Sequence, residues 1–387
     1  MMEKKKIAYL DWSYIFAGAE RVLYTIIDNL DRCQFEPYLI FPFPRDYQKE
    51  YEKLDCHKVF LASKLTWWHG SDYWHHPLRG TDMLKRMLFG LKLARYLQKN
   101  GIKILHVNLL RPDCYWWLKP SHDAGIKIIG HFRSQAEEWI PGKKVQECCS
   151  LVLCVSKYSQ SRFTSKGKFV ESRALYDSID IHSLFTPLTK DKAKEKLGFD
   201  SQVKLMASVG QLSPHKGHDH AIKAFAKISS KYPSLRLLIA GGGKENDLYN
   251  LKQLAKSEGV SDKVVFTGEQ ISNIQEVYRA ADLILSLTKV GEAFGLVPFE
   301  ACYMGTPFIA PCFGAVTEFV RNKDNGLLVD TNNILQIAEA IDWVFSHEEE
   351  TSLMVGKLQN VIETRITPSV MISNLEKVYL EMNKSGL

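Results

Sequence analysis

Val290-Gly291-Glu292-Ala293-Phe294-Gly295-Leu296-Val297-Pro298-Phe299-Glu300-Ala301 is the stretch on which the fold of this chain turns. The apolar run before it, residues 282–287, reads as a buried strand. Pro298 suits the first turn of a helix, where its missing N–H would find no partner anyway, and Gly305 with Pro307 ends that helix. The loop at residues 292–296 therefore leads from a strand into a helix, at the carboxyl edge of a parallel sheet, where open α/β sheets bind ligands. Free N–H groups and the helix dipole favour an anion there. A diphosphate fits, because Gly295 lets the main chain come close and main-chain donors neutralise charge without side chains. Two carboxylates beside such a site, Glu292 and Glu300, make electrostatic sense if they accept hydrogen bonds from hydroxyls, which sugars supply. Paired glutamates at this spacing are common on solvated surfaces. The strand before them and Pro298 between them set this pair apart.

The same alternation extends outward through the second half. Strands are expected at 204–209, 235–240, 263–267, 282–287, 307–310 and 326–329, with helical patterns at 218–232, 245–258 and 273–281 between them. That is a doubly wound parallel sheet. The first half repeats the theme, with strands at 6–11, 36–41, 103–107, 127–130 and 151–155. Its clearest helix is 81–99, where Met83, Leu84, Met87, Leu88, Leu91 and Ala94 recur at three- and four-residue steps, while Lys85, Arg86, Lys92, Arg95 and Lys99 occupy the other faces. We read the apolar side as packed on the sheet and the basic side as solvated; a helix lying on anionic lipid is the alternative. Trp67-Trp68-His69 and Tyr73-Trp74-His75-His76 read equally as a sugar-stacking or membrane-edge surface and as packing beneath a long loop.

At 387 residues the chain exceeds what one core usually serves, so two α/β domains are expected: 1–185, 186–365, and a C-terminal helix, 366–387, packing back on the first. With 45% hydrophobic and 24% charged residues it is neither disordered nor a membrane-spanning protein. The start, Met1-Met2-Glu3-Lys4-Lys5-Lys6, leads into a strand instead of a secretory segment, so a cytoplasmic chain is expected, with the inner membrane face as a further site. The eight cysteines form no C-x-x-C pair and read as buried reduced thiols, so no metal site is expected. Of the net charge of +6, residues 1–185 hold 28 Lys+Arg against 20 Asp+Glu. A basic front half suits an anionic partner, either a membrane surface or a charged acceptor, and reads equally as solubility charge. No nucleic-acid partner is expected.

Around the Glu292–Glu300 pair the chain resembles glycosyltransferase family 4, whose members carry two glutamates at this separation. Val209-Gly210-Gln211-Leu212 with Lys216-Gly217, Leu237-Leu238-Ile239-Ala240-Gly241-Gly242-Gly243, Val265-Phe266-Thr267-Gly268, Ala280-Ala281-Asp282, Gly305-Thr306-Pro307, Gly314 with Glu318, and Asn325-Gly326-Leu327-Leu328-Val329 follow the family's order. In the first half, Ala17-Gly18-Ala19-Glu20-Arg21, a strand ending in His131, and Cys154-Val155-Ser156 continue it. The resemblance implies the GT-B fold, two Rossmann-like domains facing a central cleft. It implies a retaining transferase that moves a sugar from a UDP- or GDP-linked donor, without metal or other cofactor, to a hydroxyl of a glycan or lipid-linked saccharide in cell-surface polysaccharide or lipopolysaccharide synthesis.

By the same resemblance, Glu300 binds ribose hydroxyls, Glu292 a sugar hydroxyl, and Phe294, Gly295 and Leu296 present main-chain N–H groups to the donor. Gly210 and Gln211 line the same site, Lys216 neutralises the leaving diphosphate, and Thr267-Gly268 lies near the base. His131 faces the donor sugar and Gly18 borders the diphosphate or the acceptor, although a histidine ending a buried strand also reads as a satisfied core residue. Lys216, Glu292 and His131 are the candidate catalytic side chains. None of the motif side chains stands out as a covalent nucleophile, so front-face attack and double displacement both stay open. A GT-B phosphorylase or epimerase is an alternative. So is a catalytically impaired nucleotide-sugar-binding subunit, motivated by Ala17 and Gln211, where the family often has glycine and arginine.

Overall fold

A computed structural model of the chain describes residues 4–13, 16–42, 44, 46–61, 80–134, 136–181, 183–268 and 273–384. It divides into two units, Met1–Ser178 with Pro368–Leu387, and Ile179–Thr367. The aromatic cluster at Trp67–His69 and Tyr73–His76 lies outside the described residues.

Unit 1 runs β1 (Lys5–Leu10), α1 (Gly18–Asn29), β2 (Phe35–Phe41), β3 (His57–Phe60), α2 (Gly80–Lys99), β4 (Ile104–Val107), α3 (Tyr115–Asp123), β5 (Lys127–Phe132), α4 (Lys143–Gln146), β6 (Leu151–Cys154), α5 (Lys157–Thr164) and β7 (Ser172–Ala174). Unit 2 runs α6 (Lys190–Lys196), β8 (Lys204–Val209), α7 (His218–Ile228), β9 (Leu235–Ala240), α8 (Glu245–Ser257), β10 (Val264–Phe266), α9 (Ile274–Ala280), β11 (Leu283–Leu285), α10 (Leu296–Tyr303), β12 (Phe308–Pro311), β13 (Leu327–Val329), α11 (Ile334–Ser346) and α12 (Glu348–Arg365). The last helix, α13 (Pro368–Lys384), belongs to unit 1.

Each unit is a Rossmann-like doubly wound sheet with every neighbouring pair parallel: β3-β2-β1-β4-β5-β6-β7 in the first, β10-β9-β8-β11-β12-β13 in the second. Central strands read as unbroken apolar runs because helices cover both faces; Ile7, Ala8, Tyr9 and Leu10 are all fully buried. In both sheets the order reverses beside the first strand, between β1 and β4 and between β8 and β11. At such a reversal the loops leaving the two strands diverge and open a crevice at the carboxyl edge.

All eleven strands expected from sequence are present. The two that were not expected, β3 and β7, are sheet edges. His57-Lys58-Val59-Phe60 is largely solvent-facing and Ser172-Arg173-Ala174 is short and polar, so neither carries the apolar run that marks an interior strand.

Helix α2 reverses its expected orientation. Its buried stripe is Arg86, Phe89, Gly90, Leu93, Ala94 and Leu97, while Met83, Leu84, Leu88 and Leu91 are exposed. Gly90 explains the choice: a Cβ there would come within 2.5 Å of the Trp116 carbonyl oxygen on α3, so only glycine allows the two helices to approach so closely. Arg86, placed by its charge on a solvated face, is buried, donating to the Asp113 carboxylate at 3.0 Å with its guanidinium 5.2 Å from the Trp117 ring.

The division between the units falls at Ser178/Ile179 rather than 185/186, and the returning segment begins at Pro368 rather than 366. Ile179 is fully buried and donates its N–H to the Ile366 carbonyl at 3.1 Å, which fastens this stretch to the end of α12. In unit 1, α13 is anchored by fully buried Tyr379, and the Glu376 carboxylate accepts from the Asp31 N–H at 2.8 Å. Five of the eight cysteines are buried, but Cys33 and Cys312 are exposed and Cys56 is half-buried, which corrects the expectation that all are interior.

Candidate functional site

In unit 2 the loops leaving β8 and β11 meet at the point of strand reversal. Lys216 ends a short 3-10 turn after β8, and its ammonium is ion-paired with the Glu292 carboxylate on the loop after β11. The main chains are stitched as well, by the Lys289 N–H donating to the His215 carbonyl at 2.8 Å. Gly217 makes this approach possible. Its φ of +75° lies in the left-handed region, and a Cβ there would sit 1.8 Å from the Leu287 carbonyl oxygen.

The loop after β8 is braced from below by His218, a residue absent from the expected site. Its Nε2 lies 3.1 Å from the Gln211 carbonyl oxygen, which can only accept, so Nε2 carries the proton and Nδ1 accepts from the Ser208 hydroxyl at 2.8 Å. Burial lowers the His218 pKa, in keeping with a neutral ring that uses both nitrogens structurally. The Gln211 side chain itself is exposed.

On the other side, Gly295 caps α10 with φ +81°, and a Cβ there would stand 2.5 Å from Glu292 Oε2. A side chain at this position would displace the carboxylate. Phe294 is buried among Phe299 and Phe319, with ring centroids 5.5 and 5.8 Å away, so its side chain anchors the loop in the core. Leu296 opens α10 and Glu300 follows one turn later; its Oε2 accepts from the Tyr278 hydroxyl at 2.6 Å, a short charge-assisted bond. Tyr278 was also missed, although it sits just before the quoted Ala280-Ala281-Asp282. Asp282 turns out to be a structural residue, holding Lys190 at 2.6 Å, Lys194 at 3.0 Å and the Leu205 N–H at 2.7 Å.

Gly210 and Thr267 lie at the ends of β8 and β10, flanking β9. The Gly210 N–H donates to the Ala240 carbonyl at 3.0 Å and the Thr267 hydroxyl accepts from the Gly241 N–H at 3.2 Å. Gly268 follows with φ +63°. Unit 2 thus gathers Gly210, Gln211, Lys216, Thr267, Gly268, Glu292, Phe294, Gly295, Leu296 and Glu300 along one sheet edge, with Lys216 and Glu292 in direct contact.

His131 and Gly18 lie in unit 1. His131 sits near the end of β5, fully buried. Arg133 Nη2 lies 3.1 Å from its Nδ1; a guanidinium only donates, so Nδ1 accepts and the proton is on Nε2. His106 Nε2 approaches the same Nδ1 at 3.2 Å, and its own Nδ1 is 2.6 Å from the Tyr379 hydroxyl. Arg133 is in turn held by buried Asp177 at 2.6 and 2.8 Å. His131 Nε2 is left buried and without a hydrogen-bond partner among the described residues. Burial, then the Arg133 charge, then His106 hold the His131 pKa well below the ordinary histidine value, while burial and Arg133 bring His106 down to about 3. His131 is therefore a neutral ring offering one N–H donor, not a base. Gly18 is the exposed first residue of α1, but the Glu20 carboxylate, itself 2% exposed, already takes the Ala17 N–H at 3.0 Å and brings a negative charge to that helix end.

Residues 189–359 match the protein family described as Glycosyl transferases group 1. The D-inositol 3-phosphate glycosyltransferase of Mycolicibacterium smegmatis is 35% identical over 178 residues, which are 45% of this chain and 40% of that protein. The chain thus matches about two fifths of the length of this curated relative. Among solved structures, a glycosyltransferase from Rickettsia africae is similar with a TM-score of 0.82 at 20% identity, over 99% of this chain and 100% of that one. Anabaena HepE in complex with UDP is similar with a TM-score of 0.80 at 19% identity, over 97% and 100%. At these identities the likeness is one of fold.

Proposed function

We propose that the chain is a retaining, metal-independent glycosyltransferase that moves a hexosyl group from a UDP- or GDP-sugar to an acceptor hydroxyl. The observation that carries this is the Lys216–Glu292 ion pair at the strand reversal of unit 2, between a glycine-capped helix start and a tyrosine-held second glutamate. The match of residues 189–359 to group 1 glycosyl transferases supports it, as does the UDP held by HepE on the same fold.

Lys216 and Glu292 are only partly buried, 27% and 20% exposed, so a ligand can separate them without opening the core. An incoming diphosphate, with more charge than one carboxylate, takes Lys216 and the N–H groups of Gly295 and Leu296, and Glu292 is released to accept from a sugar hydroxyl. Glu300 accepts from the ribose. As the bond from the anomeric carbon to the phosphate oxygen breaks, the electron pair leaves with the diphosphate, where Lys216 stabilises the growing charge. The acceptor oxygen bonds to the anomeric carbon and loses its proton to bulk base or to the departing phosphate.

The acceptor is a glycan or lipid-linked saccharide in this reading; the name of the Mycolicibacterium relative adds a phosphorylated polyol as a second candidate. The test is turnover of UDP- and GDP-sugars against both acceptor classes, with anomeric product analysis. Retention, undiminished by a chelator and lost in Lys216→Ala, is the expected result. Bound donor without transfer to any acceptor would instead make this a binding subunit.

A further inference from the structure

Tyr9, His106 and His131 cross the sheet of unit 1 on one face. Tyr9 is the register partner of His106 between β1 and β4, and His106 that of Ile129 between β4 and β5, which puts His131, two residues on, on the same side. Helix α13 reaches that side with Tyr379, whose hydroxyl lies 2.6 Å from His106 Nδ1 and 3.1 Å from the Tyr9 hydroxyl. All four residues are at most 1% exposed.

The hydrogens along this row can run in one direction only. Arg133 donates to His131 Nδ1 at 3.1 Å, so that nitrogen is an acceptor. The neutral His106 ring brings Nε2 to 3.2 Å from the same nitrogen, and Nε2 must carry the proton, since two lone pairs at that distance would repel. His106 Nδ1 is then left to accept from the Tyr379 hydroxyl, and the Tyr379 oxygen to accept from Tyr9. Burial raises the pKa of both phenols, so their protons stay in place. The succession of donors ends on His131 Nε2–H, buried and without a partner among the described residues. A polar row kept for stability alone would close on an acceptor, because an unmet buried donor is destabilising. This one ends open, near the carboxyl end of β5, at the edge where open α/β sheets take their ligands.

We propose that Tyr379 is a positioning residue of unit 1: through His106 it holds the His131 ring so that Nε2–H is presented to an oxygen of the substrate that unit 1 binds. This role rests on the transfer reaction proposed above. Arg133 selects the tautomer, and the bond from His106 adds a second anchor on the same nitrogen, so the ring resists turning about its Cβ–Cγ bond. The returning helix α13 therefore belongs to the chemistry of unit 1 and not only to its packing.

The test is Tyr379→Phe in the full chain. The ring keeps its place against Phe35, 5.8 Å between centroids, and only the hydroxyl goes. Turnover of a UDP- or GDP-sugar is expected to lose about tenfold in kcat, the equivalent of one hydrogen bond, with KM for donor and acceptor unchanged. In a His131→Ala background the same substitution should change kcat by less than about twofold, since the path it acts through is gone. Glu376→Ala, which removes the other anchor of α13 at the Asp31 N–H, should keep the wild-type kcat while lowering the melting temperature. Long-range proton–nitrogen spectra of histidine-labelled protein read the row without turnover: wild type should show both rings protonated at Nε2, and Tyr379→Phe should shift the Nδ1 signals of both. A wild-type kcat in Tyr379→Phe, an equal loss in Glu376→Ala, an undiminished effect without His131, Nδ1–H on either ring, or a His131 signal unmoved by Tyr379→Phe would each overturn the proposal. If no donor is turned over, the transfer reading fails on its own, and the spectra still decide whether Tyr379 holds His131.

Discussion

Tyr278→Phe probes the donor site without replacing any residue proposed to contact the donor. The substitution removes one hydroxyl from a ring that is 1% exposed, and with it the 2.6 Å bond that orients Glu300. The Thr306 hydroxyl donates to the Tyr278 carbonyl at 2.7 Å, a main-chain contact that phenylalanine keeps. A hydrogen bond to a charged acceptor is worth about 1.5–3 kcal/mol net, and the lower end applies because Glu300 is only half-buried and can recruit water. The loss in nucleotide affinity is then capped near tenfold, and about fivefold is expected. A double-mutant cycle with Glu300→Gln, read by calorimetric titration with UDP and GDP, isolates the coupling, expected at about 1 kcal/mol. If the two substitutions are additive, or Tyr278→Phe binds like wild type, Glu300 does not act through the geometry described.

Three further outcomes are expected. Lys216→Met should lower kcat by about a hundredfold while nucleotide affinity falls less, because its charge matters most as the diphosphate departs; equal losses in kcat and in affinity would assign Lys216 to ground-state binding. Gly217→Ala should destabilise unit 2 by more than about 3 kcal/mol, from a left-handed φ plus a Cβ against main chain, and Gly295→Ala by less, since its clash is with a movable carboxylate; denaturant titrations giving the opposite order would be hard to reconcile with these contacts. His106 and His131 are held neutral in the fold, so on acidification the unfolded chain takes up protons first. Stability should be complete above pH of about 6.5 and decline below it by up to about 1.4 kcal/mol per pH unit for each ring, and urea midpoints unchanged between neutral and mildly acid pH would contradict the burial of both.

What the residue order alone determined is local. Interior strands announce themselves because a parallel strand covered on both faces must be apolar throughout, and the loop around Glu292 is readable because Pro298 and Gly295 have few other uses beside a strand. Polar edge strands such as β3 and β7 lack that mark. Tertiary structure decided whatever depends on a partner distant in sequence: that Lys216 meets a carboxylate 76 residues away, that Tyr278 holds Glu300, that Arg133 fixes the proton of His131 through a bond that Asp177 supports. It also decided which face of α2 goes inside. Both arcs of that helix recur at helical period and both are apolar, so periodicity cannot choose between them; the close seat of Gly90 against α3 does, and it leaves the leucine row facing water.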